Sequence, residues 1–419
     1  MKTVKGTRDF LPEEMILRQQ VLDKIKSVFE IYGFQPLETS ALEDWKVLST
    51  KGAGSEEILN ETYNFEDKGG RRIGLRYDLT VPLARVVASN PNLTLAFKRY
   101  QIEKVWRYGD IAKDRFREFL QADIDIVGSD SMLADAEIIK CAISCFKALG
   151  LEKIYVRLNN RKILEALVKN AGIEDNKVMS VLGTIDKLEK IGIKNVKKEL
   201  EEKNISKDST MKILEPIKIK EEPKIVLKKL ENMIGRNEGI QELKEIISYL
   251  KDESKIKIDL SLARGLDYYT GPIYEVLAEE GIGSVAGGGR YDKLIGLFLK
   301  RDIPATGISF GIDRIIEVMK QRKMVKSETK IKVFVASVND KIRDKVLEIV
   351  QLLRDKSIAC DYDFRSRSLS KQLEYVSNMK IPYAIIVGKK ELKENSVKLR
   401  NMRTGKEELV KINDIIKKF

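Results

Sequence analysis

The stretch Phe119-Leu120-Gln121-Ala122-Asp123-Ile124-Asp125-Ile126-Val127 changes character at every second residue. Side chains of a strand alternate faces with period two. One face then carries Leu120, Ala122, Ile124 and Ile126, an apolar set suited to a core. The other carries Phe119, Gln121, Asp123 and Asp125. A ring, an amide and two carboxylates in one row suit the floor of a ligand site; a sheet edge facing water is the plain alternative. The strand pattern before it puts Arg99, Gln101, Glu103, Val105 and Arg107 on one face, and the turn between adds Lys113, Arg115 and Arg117. Guanidinium groups bind phosphate with a bidentate fork, so this hairpin can clamp a triphosphate or RNA, or form a surface ion-pair ladder.

Three further segments carry chemistry. Arg264-Gly265-Leu266-Asp267-Tyr268-Tyr269-Thr270-Gly271 sets an arginine and two tyrosines between glycines on a chain entering a strand. Their hydroxyls can donate to or accept from an imidazole, a carboxylate or a ribose, although adjacent tyrosines are more often one buried and one exposed. Gly287-Gly288-Gly289-Arg290 allows close backbone approach to a ligand, or a tight turn. Gly307-Ile308-Ser309-Phe310-Gly311-Ile312-Asp313-Arg314 reads as a strand opening into a helix, with Arg314 in the first turn, where free N–H groups favour an anion. Neither a Walker lysine loop nor a Rossmann glycine fingerprint is present. The chain has 0 histidines, which excludes a Ser-His-Asp triad, a histidine metal ligand and an imidazole general base.

These groups need a frame. Apolar spacing predicts a long amphipathic helix over Met15–Tyr32 and a strand at Phe34–Thr39. Short strands are expected around Tyr63–Phe65 and Arg72–Leu75, with a helix beginning near Thr80. Two longer strands, about Ala96–Arg107 and Phe116–Val127, flank the polar turn as a hairpin with a functional tip. A helix over Leu133–Leu149 and a strand at Ile154–Leu158 follow. Residues 161–251 are dense in Lys and Glu at helical spacing and predict a helical insertion with a solvated face; RNA contact is the lesser reading. Strand signals return at Ile256–Leu260, Gly271–Leu277 and Gly283–Gly289, then a strand–helix unit at Thr306–Lys320. After a polar linker at Gln321–Lys330, the segments Lys332–Ser337, Asp340–Arg354, Ala359–Asp361, Leu369–Asn378 and Tyr383–Val387 alternate strand and helix in a small α/β domain. The fold class is α+β, with a mainly antiparallel first sheet.

At 419 residues the chain exceeds one ordinary core, so two or three domains are expected. No apolar run approaches the roughly 20 residues that span a bilayer. The start, Met1-Lys2-Thr3-Val4-Lys5-Gly6, lacks the apolar stretch of a signal peptide, and the expected compartment is cytoplasmic. Cys141, Cys145 and Cys360 are too few and oddly numbered for a disulfide framework. Cys141 and Cys145 have helical spacing among apolar residues, which favours buried thiols over a metal site. Lys plus Arg (77) exceed Asp plus Glu (64) by 13, which points to a polyanionic partner such as RNA or to a lysine-rich composition alone.

Taken together, the segments resemble the histidyl-tRNA synthetases, a class II aminoacyl-tRNA synthetase family, over nearly the whole chain and in the expected order. Lys5-Gly6-Thr7-Arg8-Asp9-Phe10 opens the match, and Pro36 lies in a strand similar to motif 1, a dimer-interface element. Arg107 to Gly128 resembles motif 2, Arg264 to Gly271 the histidine-specific signature, Ala286 to Asp292 its companion, and Pro304 to Arg314 motif 3. The resemblance implies a class II synthetase-like, six-stranded antiparallel sheet with flanking helices. It implies a catalytic domain over 1–160 and 252–325, the helical insertion over 161–251 and an anticodon-binding α/β domain over 330–419. It implies activation of L-histidine with ATP and Mg²⁺, transfer to tRNA(His), a homodimer and no membrane.

Carried over residue by residue, Asp78, Leu79 and Thr80 would hold the substrate α-amino group with Gln121. Asp125 and Tyr269 would bind the imidazole, with Tyr268 beside them. Arg107 would contact the α-phosphate and substrate carboxylate, Phe119 would stack on adenine, and Arg314 would clamp the distal phosphates, with Arg115 in the ATP set. Arg264 matches the family's catalytic arginine at the α-phosphate. Two positions depart from the pattern. Gly109 stands where a carboxylate near the adenine amino group is usual, with Asp110 as its substitute. Leu120 replaces a common aromatic or histidine and is expected to face the core. The alternative function is a non-catalytic, synthetase-like regulatory subunit of histidine biosynthesis, whose relatives generally lose the catalytic arginine and the anticodon domain.

Overall fold

In the computed structural model the described residues are 1–54, 56–111, 115–251, 254–263, 268–278, 283–324 and 329–419. They divide into two compact units, Met1–Asp9 with Arg18–Val325, and Phe10–Leu17 with Lys326–Phe419.

The first unit is organised by the β-branched and aromatic runs of eight strands: β1 (Gln35–Pro36), β2 (Phe97–Trp106), β3 (Glu118–Val127), β4 (Tyr155–Asn160), β5 (Ile256–Ile258), β6 (Pro272–Leu277), β7 (Ser284–Arg290) and β8 (Ala305–Gly311). Their order is β1-β2-β3-β8-β7-β6-β4-β5. Each neighbouring pair from β2 to β4 is antiparallel, which makes six antiparallel strands, while the edge strands β1 and β5 pair parallel. The sheet is therefore mainly antiparallel, as patterning suggested, with parallel pairing added at its two edges. The expected strand at Phe34–Thr39 shrinks to Gln35–Pro36, because Pro36 has no N–H to extend a ladder.

Register decides which residues share a face. Across β2, β3 and β8, Arg99 pairs with Asp125 and Gly307, and Gln101 with Asp123 and Ser309. The alternate set, Tyr100 with Ile124 and Ile308, and Ala122 with Phe310, turns the other way. That apolar side is covered by two helices, α1 (Pro12–Ile31) and, beyond α2 (Thr80–Ser89), α3 (Met132–Ala148). Phe310 is fully buried between Phe29 of α1 and Phe146 of α3, with ring centroids 5.5 and 5.7 Å away. Cys141 and Cys145 are buried free thiols on α3.

Residues 161–251 fold into six helices: α4 (Arg161–Asn170), α5 (Asp175–Asp186), α6 (Leu188–Glu202), α7 (Lys207–Ile217), α8 (Pro223–Ile234) and α9 (Glu238–Leu250). Each buries apolar residues, such as Val181, Leu182 and Ile185 on α5, and most of their charges face outward, Arg161 on α4 being buried. Arg157 of β4 ties this part down through Glu189 of α6, and Lys220 pairs with Asp259 beside β5 at 3.0 Å. The chain returns to the sheet through β5–β8 and ends in α10 (Ile312–Gln321).

The second unit has strands β9 (Val333–Ser337), β10 (Cys360–Tyr362), β11 (Tyr383–Val387), β12 (Ser396–Asn401) and β13 (Glu407–Lys411), ordered β10-β9-β11-β12-β13. The first three are parallel, as their alternation with helices Arg343–Arg354 and Leu369–Asn378 requires. The last two add an antiparallel hairpin that patterning did not announce.

One buried charge pair locks α3 to the sheet. Asp135, fully buried, accepts from Arg290 Nε at 3.1 Å and from Thr306 Oγ1 at 2.7 Å, and Arg290 is itself buried. Replacing Asp135 by alanine removes the buried counter-charge from Nε and Nη2 and leaves only Asp292, 3.1 Å from Nη1. It should destabilise the protein by about 3–5 kcal/mol in chemical denaturation, and a change under 1 kcal/mol would rule out that anchoring role.

Candidate active site

The polar face of the sheet forms the floor of a cavity of about 780 Å³ within the first unit. Asp78, Thr80, Arg107, Arg115, Phe119, Gln121, Asp125, Tyr268, Tyr269 and Arg314 all line it. Ten residues picked from separate stretches of sequence thus converge on one space. Leu79 is fully buried at the N-cap of α2 and does not line the cavity; it places its neighbours. Arg264 and Lys113 lie outside the described residues.

Two kinds of lining meet here. Arg107, Arg115 and Arg314 supply positive charge. Arg107 Nε donates to the Tyr77 carbonyl at 2.9 Å, and its guanidinium carbon lies 5.4 Å from the Phe119 ring centre. Arg314 Nη1 donates to the Ser284 carbonyl at 3.0 Å from the first turn of α10. A flat ring beside fixed guanidinium groups suits a planar base carrying phosphates.

The other lining is acidic. Asp78 precedes α2, and its Oδ1 accepts from the Val81 N–H at 3.1 Å. Burial pushes its carboxyl up to about 6, despite lowering by that N–H and by Arg107. Asp125 is also pushed up by burial, offset first by Arg99. Arg99 Nη2 lies 2.7 Å from Asp125 Oδ2, held by charge without hydrogen-bond alignment, and Tyr291 OH donates to Asp125 Oδ1. Asp123 is buried beside them. Tyr268 and Tyr269 pack edge to face with ring centres 4.7 Å apart. Burial raises both hydroxyls above their ordinary value, so both remain neutral donors at pH 7.

Glycine makes room for this floor. A Cβ on Gly307 would sit 2.0 Å from Asp125 Oδ1, and one on Gly289 would sit 3.0 Å from the Tyr269 ring. Gly307 is needed for close approach, not for its backbone angles.

Sequence reading missed two supports, Asp313 and Glu61, and misplaced Leu120. Asp313 accepts from Arg8 Nη2 at 2.7 Å, from Arg18, and from the backbone N–H of Leu120 at 3.1 Å. It thereby fastens the N-terminal segment and β3 to the start of α10, while Arg8 also stacks over Phe116 at 3.9 Å. Leu120, expected in the core, is only half-buried, because β3 ends its sandwiched stretch near Ala122 and the next residues border the cavity. The carboxylate beside Gly109 belongs to Glu61, whose Oε1 would be 2.8 Å from a Cβ there; Asp110 is exposed. Glu61 carbonyl accepts from the Tyr108 N–H at 2.6 Å, a pairing that sequence spacing does not reveal.

Residues 6–315 match the family model of histidyl-tRNA synthetase, and residues 332–419 match an anticodon-binding domain. A histidine–tRNA ligase of Aeropyrum pernix is 42% identical over 99% of this chain and 96% of its own length. A histidine–tRNA ligase of Bacillus cereus is 39% identical, again over 99% and 96%. The crystal structure of histidyl-tRNA synthetase from Nostoc sp. PCC 7120 superposes with a TM-score of 0.87 at 33% identity, covering 100% of this chain and 98% of that one.

Gly307→Ala tests the floor directly. The methyl group must displace Asp125 from Tyr291 and Arg99, so denaturation should show a loss of about 1–3 kcal/mol. Unchanged stability would mean that β8 and Asp125 do not approach as described.

Proposed function

The chain belongs to the histidyl-tRNA synthetase family, and we propose from that premise how its cavity divides the work of charging. The enzyme activates L-histidine with ATP to histidyl-adenylate, releasing pyrophosphate, and transfers the histidyl group to tRNA(His). The observation that carries the residue assignment is the convergence of guanidinium groups, an aromatic ring and buried carboxylates on one cavity.

In the first step a carboxylate oxygen of histidine attacks the α-phosphorus, and the bond to pyrophosphate breaks. That nucleophile is already ionised at neutral pH, so no general base is needed. A chain with 0 histidines loses nothing by this. What remains is alignment and stabilisation of charge on phosphate oxygens. Arg107 serves the α-phosphate and the substrate carboxylate, Arg314 and Arg115 the distal phosphates, and Phe119 the adenine ring. Arg264, outside the described residues, is assigned to the α-phosphate on family resemblance alone. Asp78, Thr80 and Gln121 hold the ammonium group; Asp125, Tyr269 and Tyr268 face the imidazole.

Among the described residues no group of three Asp, Glu, Cys or His side chains can hold a metal. Mg²⁺ would supply further positive charge at the ATP phosphates, beside that of Arg115 and Arg314. Among the same residues no helix is long and apolar enough to cross a membrane, and a tRNA partner argues for action in the cytoplasm. A homodimer through the β1 edge is the matching assembly, and the second unit would read the anticodon. The regulatory-subunit alternative is the weaker reading, since relatives at 42% and 38% identity are named ligases and the anticodon-binding match is intact.

Histidine-dependent exchange of pyrophosphate into ATP is the test. Arg107→Ala should lower the exchange rate by about 10²–10³, the usual cost of one transition-state donor. Exchange within a factor of three of the unaltered protein would refute the assignment.

A further inference from the structure

Two carboxylates of the floor each keep a buried oxygen without a hydrogen-bond donor among the described residues, Asp125 at Oδ2 beside the Arg99 charge and Asp123 at Oδ1. Asp123 is 3% exposed and lines the cavity, yet among the described residues nothing donates to its Oδ1. Its neighbours explain why. Across the sheet on β2, Gln101 turns its Nε2 to Thr39 Oγ1 at 2.9 Å, and Arg99 is committed to Asp125. On β8, Ser309 Oγ accepts from Gln121 Nε2 at 2.6 Å, which leaves its own hydrogen for Asp123's other oxygen. Asp78 and Asp125 add like charge, and the Tyr269 hydroxyl faces the same space. A buried acceptor without a donor is costly, unless a ligand brings one.

We propose that Asp123 Oδ1 takes an imidazole N–H of the bound histidine, so that this carboxyl and the ring share a single proton in the complex. The inference rests on the reading of the cavity given above and adds to it a further specificity residue. The ring is the fitting donor because the ammonium already has Asp78, Thr80 and Gln121. Asp125, with Tyr291 donating at Oδ1 and only the charge of Arg99 beside Oδ2, takes the other ring N–H. An amino acid whose side chain lacks an N–H leaves Oδ1 empty, which makes Asp123 a discriminating contact.

A pH law follows. Burial pushes the Asp123 carboxyl up to about 7, with Arg99 opposing and Asp125 adding to the rise. A free imidazole titrates near 6.5, so the two partners change charge in the same range. Below about pH 6 both carry a proton and binding must expel one. Above about pH 7 Asp123 is ionised and the neutral ring has a single N–H, which Asp125 takes, so filling Asp123 as well requires binding to take one proton up. Affinity should therefore peak between these limits and fall about tenfold per unit on the alkaline side. In Asp123→Asn the amide holds the neutral ring with no proton to gain. The ammonium group's own titration affects both proteins alike and cancels in their ratio.

Histidine binding to the full-length protein is to be measured by calorimetry from pH 6 to 8.5, in two buffers of different ionisation heat. The unaltered protein should take up close to one proton more at pH 8 than Asp123→Asn. Its dissociation constant should rise about tenfold per pH unit relative to that of the variant. Circular dichroism checks that the variant folds; if it does not, the proton count of the unaltered protein decides alone. Zero uptake at pH 8, or superimposable profiles, overturns the role of Asp123. An unaltered protein that binds no histidine at any pH overturns the reading of the cavity itself.

Discussion

Three carboxylates, Asp78, Asp123 and Asp125, are buried around a single fully buried guanidinium, that of Arg99. Charges removed from water are tolerated only when paired, neutralised by a proton, or completed by a ligand. This floor uses all three remedies. Asp125 has Arg99 and Tyr291; Asp78 has backbone N–H groups and a raised carboxyl; Asp123 has one hydroxyl and an open oxygen. The surrounding fold can be read as what is needed to keep that arrangement in place. Glycine at 307 gives Asp125 its space, and the Asp135–Arg290 pair fixes the helix behind the sheet.

The histidine-free composition sharpens the point. Without imidazoles, the groups able to change charge near neutrality must be displaced from their ordinary range by their surroundings. Asp78 at about 6 and Asp123 at about 7 are such groups, and both line the cavity. Adenylate formation itself asks for no proton acceptor, so acid–base behaviour belongs to recognition here and not to bond making.

Much of this was legible in the order of residues. Alternation from Phe119 to Val127 put the right side chains on the right face, and the glycine-flanked tyrosines and Arg314 reached the same cavity. Register was not legible. Nothing in the spacing of Arg99 and Asp125 says that they stand opposite one another, nor that Ser309 falls beside Asp123; those facts arise only when β2, β3 and β8 pair. Leu120 shows the limit of periodicity: alternation assigns a face but not where the covering helix stops. Glu61 beside Gly109 shows another, since a loop contact between distant residues leaves no pattern. The terminal hairpin of the second unit escaped because its strands are charged and half exposed.

Asp313 gathers Arg8, Arg18 and the backbone of Leu120 at the point where β8 becomes α10. Arg8 is therefore fastened beside the Phe119 and Arg314 side of the cavity, through Asp313 and over the Phe116 ring. Trimming or crowding the chain there, as a fusion partner or a protease would, reaches Phe119 and Arg314 through one carboxylate.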